Sequence, residues 1–112
     1  MAYDAALVKR IGNFLRRREG ITQKKMFGGI AFMLHGHMCC GIVNNDLVIR
    51  VGPTRYEQAL AHPHARPMDF TGRPLKGFVY VGPLGYKTDN ALQKWVKQAV
   101  EFVASLPPKK DR

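Results

Sequence analysis

Apolar positions in this chain follow two rhythms. Near the start, Leu7, Val8, Ile11, Phe14 and Leu15 recur at i, i+3, i+4, i+7 and i+8, which puts them on one stripe of a helix. Lys9, Arg10, Asn13, Arg16 and Arg17 fall on the other side. The spacing predicts a helix from an N-cap at Asp4 to about Arg18. Arg16 to Arg18 would then occupy the last turn, where cations complement the helix dipole, and Gly20 would stop it. Toward the end, Leu92, Trp95, Val96, Ala99, Val103 and Leu106 form a second stripe. It predicts a helix from a cap at Thr88 or Asp89 to Leu106, halted by Pro107-Pro108, with Trp95 buried.

Between the helices the rhythm shortens. Apolar runs separated by turn residues predict strands at Thr22 to Phe27, Ile30 to Leu34, Met38 to Val43, Leu47 to Val51 and Phe78 to Val81. Gly28-Gly29, His35-Gly36-His37 and Asn44-Asn45-Asp46 are the turns. Gly52-Pro53 opens a short helix with Tyr56 and Leu60 inside. Pro63 ends it, His62 to Pro67 reads as a loop, and Met68 to Phe70 as a brief extra strand. Consecutive hairpins make an antiparallel sheet whose apolar face needs cover. The predicted fold is α+β, a two-layer α/β arrangement in the order α-β-β-β-β-α-β-α, with both terminal helices on one sheet face.

The 112 residues fit a single domain, with a core over about 4–106 and a basic tail at 107–112. At 46% hydrophobic the chain can fold without disulfides. Its net charge of +10, from 18 Lys and Arg against 8 Asp and Glu, favours polyanionic partners. The cysteines are adjacent, Cys39-Cys40. On a regular strand, neighbours point to opposite faces, so the expectation is two reduced thiols with one packed in the core, in a reducing cytosol. No signal peptide is recognisable. No run reaches the roughly 18 apolar residues of a membrane span, so a membrane partner is not expected.

Met26 to Val51, opened by Met26-Phe27-Gly28-Gly29, and Met68-Asp69-Phe70-Thr71-Gly72-Arg73-Pro74 together resemble the N-terminal domain of the TfoX/Sxy family of bacterial competence regulators. The resemblance runs from about Thr22 to Leu106 and implies the same two-layer fold. Full-length members regulate competence genes with a DNA-bound transcription activator and carry a second, helical C-terminal domain. The chain stops after the first domain, so that regulatory activity does not simply carry over; a stand-alone cytoplasmic module is expected, and no catalytic constellation stands out in the residues.

His35, His37, Cys39 and Cys40 offer zinc-type donors on one strand. Structural zinc sites need a second, separated ligand pair, and His62 or His64 could join only through tertiary folding. No metal and no cofactor are therefore expected. A cysteine nucleophile needs a stabilised thiolate and an oriented base. Cys39 and Cys40, among Met38, Gly41 and Ile42, read as buried instead. Gly28-Gly29 lacks phosphate-loop spacing. Lys76-Gly77-Phe78-Val79-Tyr80-Val81 only partly matches an RNA-recognition signature, and reads as a core strand. A local Asp69–Arg73 pair is the modest explanation of the Arg73 loop.

The functional expectation is a non-enzymatic regulatory or interaction module. Its contacts would be Arg16, Arg17, Lys24, Lys25, Arg73 and Lys76. Its partner would be a protein, a nucleic acid held weakly and without sequence preference, or a second copy in a homodimer. The alternative is a small-molecule-binding or enzymatic domain using the Cys39/Cys40–His35/His37 strand or the Arg73 loop.

Overall fold

The computed structural model describes residues 3–26, 28–69 and 72–107. Helix α1 (Ala5–Leu15) is followed by strands β1 (Ile21–Met26), β2 (Gly29–Leu34), β3 (His37–Val43) and β4 (Asp46–Arg50). Helix α2 (Tyr56–Leu60), strands β5 (Ala65–Pro67) and β6 (Phe78–Val81), a 3-10 turn at Pro83–Gly85 and helix α3 (Asp89–Ala104) complete the chain. The six strands form one antiparallel sheet in the order β1-β2-β3-β4-β6-β5.

Asp4 caps α1, its Oδ1 accepting from Ala6 N at 2.9 Å. The helix ends at Leu15, earlier than its predicted end at Arg18. Leu15 is its last buried residue, and Arg16 to Arg18 have nothing apolar to bury. Thr88 caps α3 by accepting from Ala91 N at 3.1 Å. The extra strand lies at Ala65–Pro67, in the predicted loop, one step ahead of the predicted Met68 to Phe70; Phe70 is outside the described residues. β5 is an edge strand and therefore tolerates Pro67.

Both terminal helices cover the same sheet face. Leu7, Ile11 and Leu15 of α1 join Leu92, Val96, Ala99 and Val103 of α3 over Ile30, Phe32, Ile42, Leu47, Ile49, Val79 and Val81. Trp95, 6% exposed, belongs to this core. The opposite face carries a smaller cluster of Val43, Val48, Met68 and Tyr80.

One local feature departs from regular strand geometry. Phe32 pairs with Cys40 but Met33 pairs with Met38, leaving Cys39 without an opposite residue. This β-bulge breaks the alternation. Both cysteines enter the helix-side core, each 0% exposed, where simple alternation had put only one.

Candidate functional site

The basic residues singled out by the sequence do not share one surface. In β1, Lys24 pairs with Ala31 and Lys25 with Ile30. Paired residues share a face, and Ile30 belongs to the helix-side core. Lys25 therefore lies on the helix side, with Arg16 and Arg17 just past the end of α1, and Lys24 on the opposite side. Arg73 and Lys76 are exposed on the segment between Met68 and Phe78. Leu75 N donates to Met68 O there at 2.9 Å, and Met68 packs on the face away from the helices.

Several other cations are already engaged. Arg10 pairs with Asp89 at 3.1 Å, Arg55 with Glu101 at 3.3 Å and Arg66 with Asp46 at 2.6 Å. Arg66 also stacks over Tyr80, 4.8 Å from its centroid. Arg50 lies over the rings of Phe78 and Phe102 at 5.2 and 5.6 Å, and burial lowers its pKa. Among the described residues no Asp69–Arg73 ion pair forms.

The cations that have no ion-pair partner among the described residues and do converge flank a groove between α1 and α3. Its volume is about 370 Å3. Phe14 and Leu15 of α1 and Val96 and Val100 of α3 make an apolar floor. Arg17, Arg18 and Lys97 stand on its rim, and among the described residues no acidic one lines it. On α3, Gln93, Val96, Lys97 and Val100 recur at i, i+3, i+4 and i+7, so one helix face supplies that whole wall. Sequence reasoning found Arg17 but missed Lys97 and left Arg18 out of the contact set. The signal available was Val100, which widens the α3 stripe beyond the residues the core needs.

The cysteine–histidine strand has a different character. The adjacent Cys39 thiol, then burial, pushes the Cys40 pKa well up. Thiolate chemistry is disfavoured there. His35 sits exposed on the β2–β3 turn with φ 52°. His37 donates from Nε2 to the Pro107 carbonyl at 2.7 Å. Among the described residues, no group of three or more His, Cys, Asp or Glu is placed to share a metal ion, and no helix is long and apolar enough to cross a membrane.

This burial has a pH consequence. Cys40 is raised as described. Burial, then the Asp46 charge, raises Tyr80; burial, then the Asp4 charge, raises Tyr86. A folded-state pKa above the unfolded one gives stability that is complete below the unfolded value and lost as pH rises through the folded one. The urea midpoint should therefore hold up to the ordinary thiol value of 9.0 and fall above it. Cys40→Ala should remove the first part of the fall. A midpoint unchanged through the thiol and phenol range would contradict this assignment.

The family model described as TfoX N-terminal domain matches residues 13–103. No curated protein and no solved structure matches the chain significantly.

Proposed function

The chain belongs to the TfoX N-terminal domain family, and from that premise we propose that it is a non-enzymatic regulatory interaction module. It captures an acidic, amphipathic segment of a protein partner in the groove between α1 and α3. A role in transcription control in the bacterial cytosol is part of the same proposal and rests on the family resemblance alone.

One observation carries the reading: an apolar floor bordered by three cations, with no acid lining it among the described residues. An amphipathic helix laid in such a groove buries its apolar face on Phe14, Leu15, Val96 and Val100. Its Asp or Glu residues then meet Arg17, Arg18 and Lys97. Arg16 and Lys25, on the same side, extend the positive field toward the sheet edge. Lys24, Arg73 and Lys76 take no part. A duplex nucleic acid would leave the apolar floor unused and would want its cations on one continuous surface.

The test compares a designed helical peptide, leucines on one face and glutamates along both flanks, with labelled duplex DNA. The peptide should bind, and DNA only weakly. Exposed ion pairs contribute roughly 0.2–1 kcal/mol each. Arg17→Gln/Arg18→Gln/Lys97→Gln should therefore weaken the peptide roughly threefold to a hundredfold. Tight, salt-sensitive DNA binding with no peptide binding would overturn the reading in favour of a phosphate-contacting surface.

A further inference from the structure

A second opening, of about 650 Å3, lies on the other flank of α3, between α2 and the first three turns of α3. α2 packs on β5 and β6, and the space between it and α3 is open. Small residues, Ala59, Gly85 and Ala91, line its inner part. Gly85 has to be small, since a Cβ there would stand 2.8 Å from His64 Cβ.

Trp95 forms one wall. Its Nε1 donates to the Gly85 carbonyl at 3.2 Å, and His62 meets its ring edge-on at 5.1 Å between centroids. These two contacts hold the indole fixed and seat an exposed imidazole beside the opening. Gln58, Asn90 and Gln98 add carboxamides. Arg55 and Lys94 add positive charge, and among the described residues no carboxylate lines the space. Arg55 is shared with Glu101, whereas Lys94 has no ion-pair partner among the described residues.

Volume, charge and polarity agree on one kind of ligand. The opening is in the range of small-molecule sites, roughly 300–1,000 Å3. Lys94, and Arg55 as far as Glu101 leaves it available, favour an anion, with Lys94 the freer of the two to hold it. Three carboxamides favour a hydroxylated or heterocyclic body with several hydrogen-bonding groups. A purely apolar ligand would leave Lys94 and the carboxamides without a partner in the cleft. We propose that this cleft binds a small organic phosphate. Lys94, with Arg55, holds the phosphate monoester. Gln58, Asn90 and Gln98 hold the polar body, which lies against the His62 ring. The site is separate from the partner groove and does not depend on it.

Trp95 is the only tryptophan in the chain, so its emission, read with backbone amide shifts, reports on the cleft directly. AMP and glucose 6-phosphate are the probes, and inorganic phosphate at matched ionic strength is the control. A saturable response to either probe, stronger than to inorganic phosphate, is the expected result. Response to AMP alone assigns a nucleotide, to glucose 6-phosphate alone a sugar phosphate, and to both a general phosphate-ester site. Lys94→Gln, at an exposed position, should keep the fold and weaken binding about tenfold or more through the lost charge-assisted hydrogen bond. Arg17→Gln/Arg18→Gln should bind the probes like the parent. No saturable response to either probe, or an unchanged response in Lys94→Gln, would overturn the proposal.

Discussion

Trp95→Ala should lower the unfolding free energy by about 3–5 kcal/mol, the range for removing a large buried aromatic side chain. Three losses combine. The side chain, 6% exposed, gives up its packing in the helix-side core. The Gly85 carbonyl loses the indole N–H, and a buried acceptor left unpaired carries its own penalty. His62 loses the ring it rests against. Domains of this size are held by about 5–15 kcal/mol, so the variant should sit close to the edge of folding. Denaturant unfolding measures it directly. A loss below about 1 kcal/mol would mean that Trp95 is not a core residue.

Gly29→Ala should cost about 3 kcal/mol or more, at the severe end for overpacking. A Cβ on Gly29 would collide with the Ile42 carbonyl oxygen and stand 2.9 Å from its carbon and 3.2 Å from Val43 Cα. All three atoms are backbone, so no rotamer change relieves the clash. Gly41 faces the same constraint from the other strand, against the Ile30 carbonyl oxygen and Ala31 Cα. The neighbouring Gly28 differs. Its φ is +76° but nothing stands within 4 Å of an added Cβ, so Gly28→Ala should cost only the left-handed backbone penalty, about 1–2 kcal/mol. Equal effects at the two glycines would contradict this division of labour.

The sequence discloses those parts of the fold that depend on local periodicity. The α3 stripe locates its helix and buries Trp95. His35-Gly36 and Asn44 mark tight turns, and all three residues take positive φ. β5 carries no such mark. Ala65-Arg66-Pro67 is short, does not alternate and contains a proline; it is a strand because it pairs with β6. The bulge at Cys39 is equally invisible from one segment, since register belongs to two strands jointly. Lys24 and Lys25 are the opposite case: period-two alternation alone already separates adjacent strand residues. The groove was half legible. Arg17 and Arg18 stand out as a basic run, but Lys97 meets them only when α1 and α3 pack side by side on the sheet.

The groove itself is tested most directly by NMR titration of the isotope-labelled domain with the acidic amphipathic peptide at low and moderate salt. Saturable amide shifts should centre on Phe14, Leu15, Val96, Lys97 and Val100 and weaken with salt, because exposed charge pairs are screened. They should be largely lost in Arg17→Gln/Arg18→Gln/Lys97→Gln. Shifts centred instead on Lys24, Ala31 and Met33 across the sheet, or no saturation at either salt concentration, would contradict the groove as the partner site.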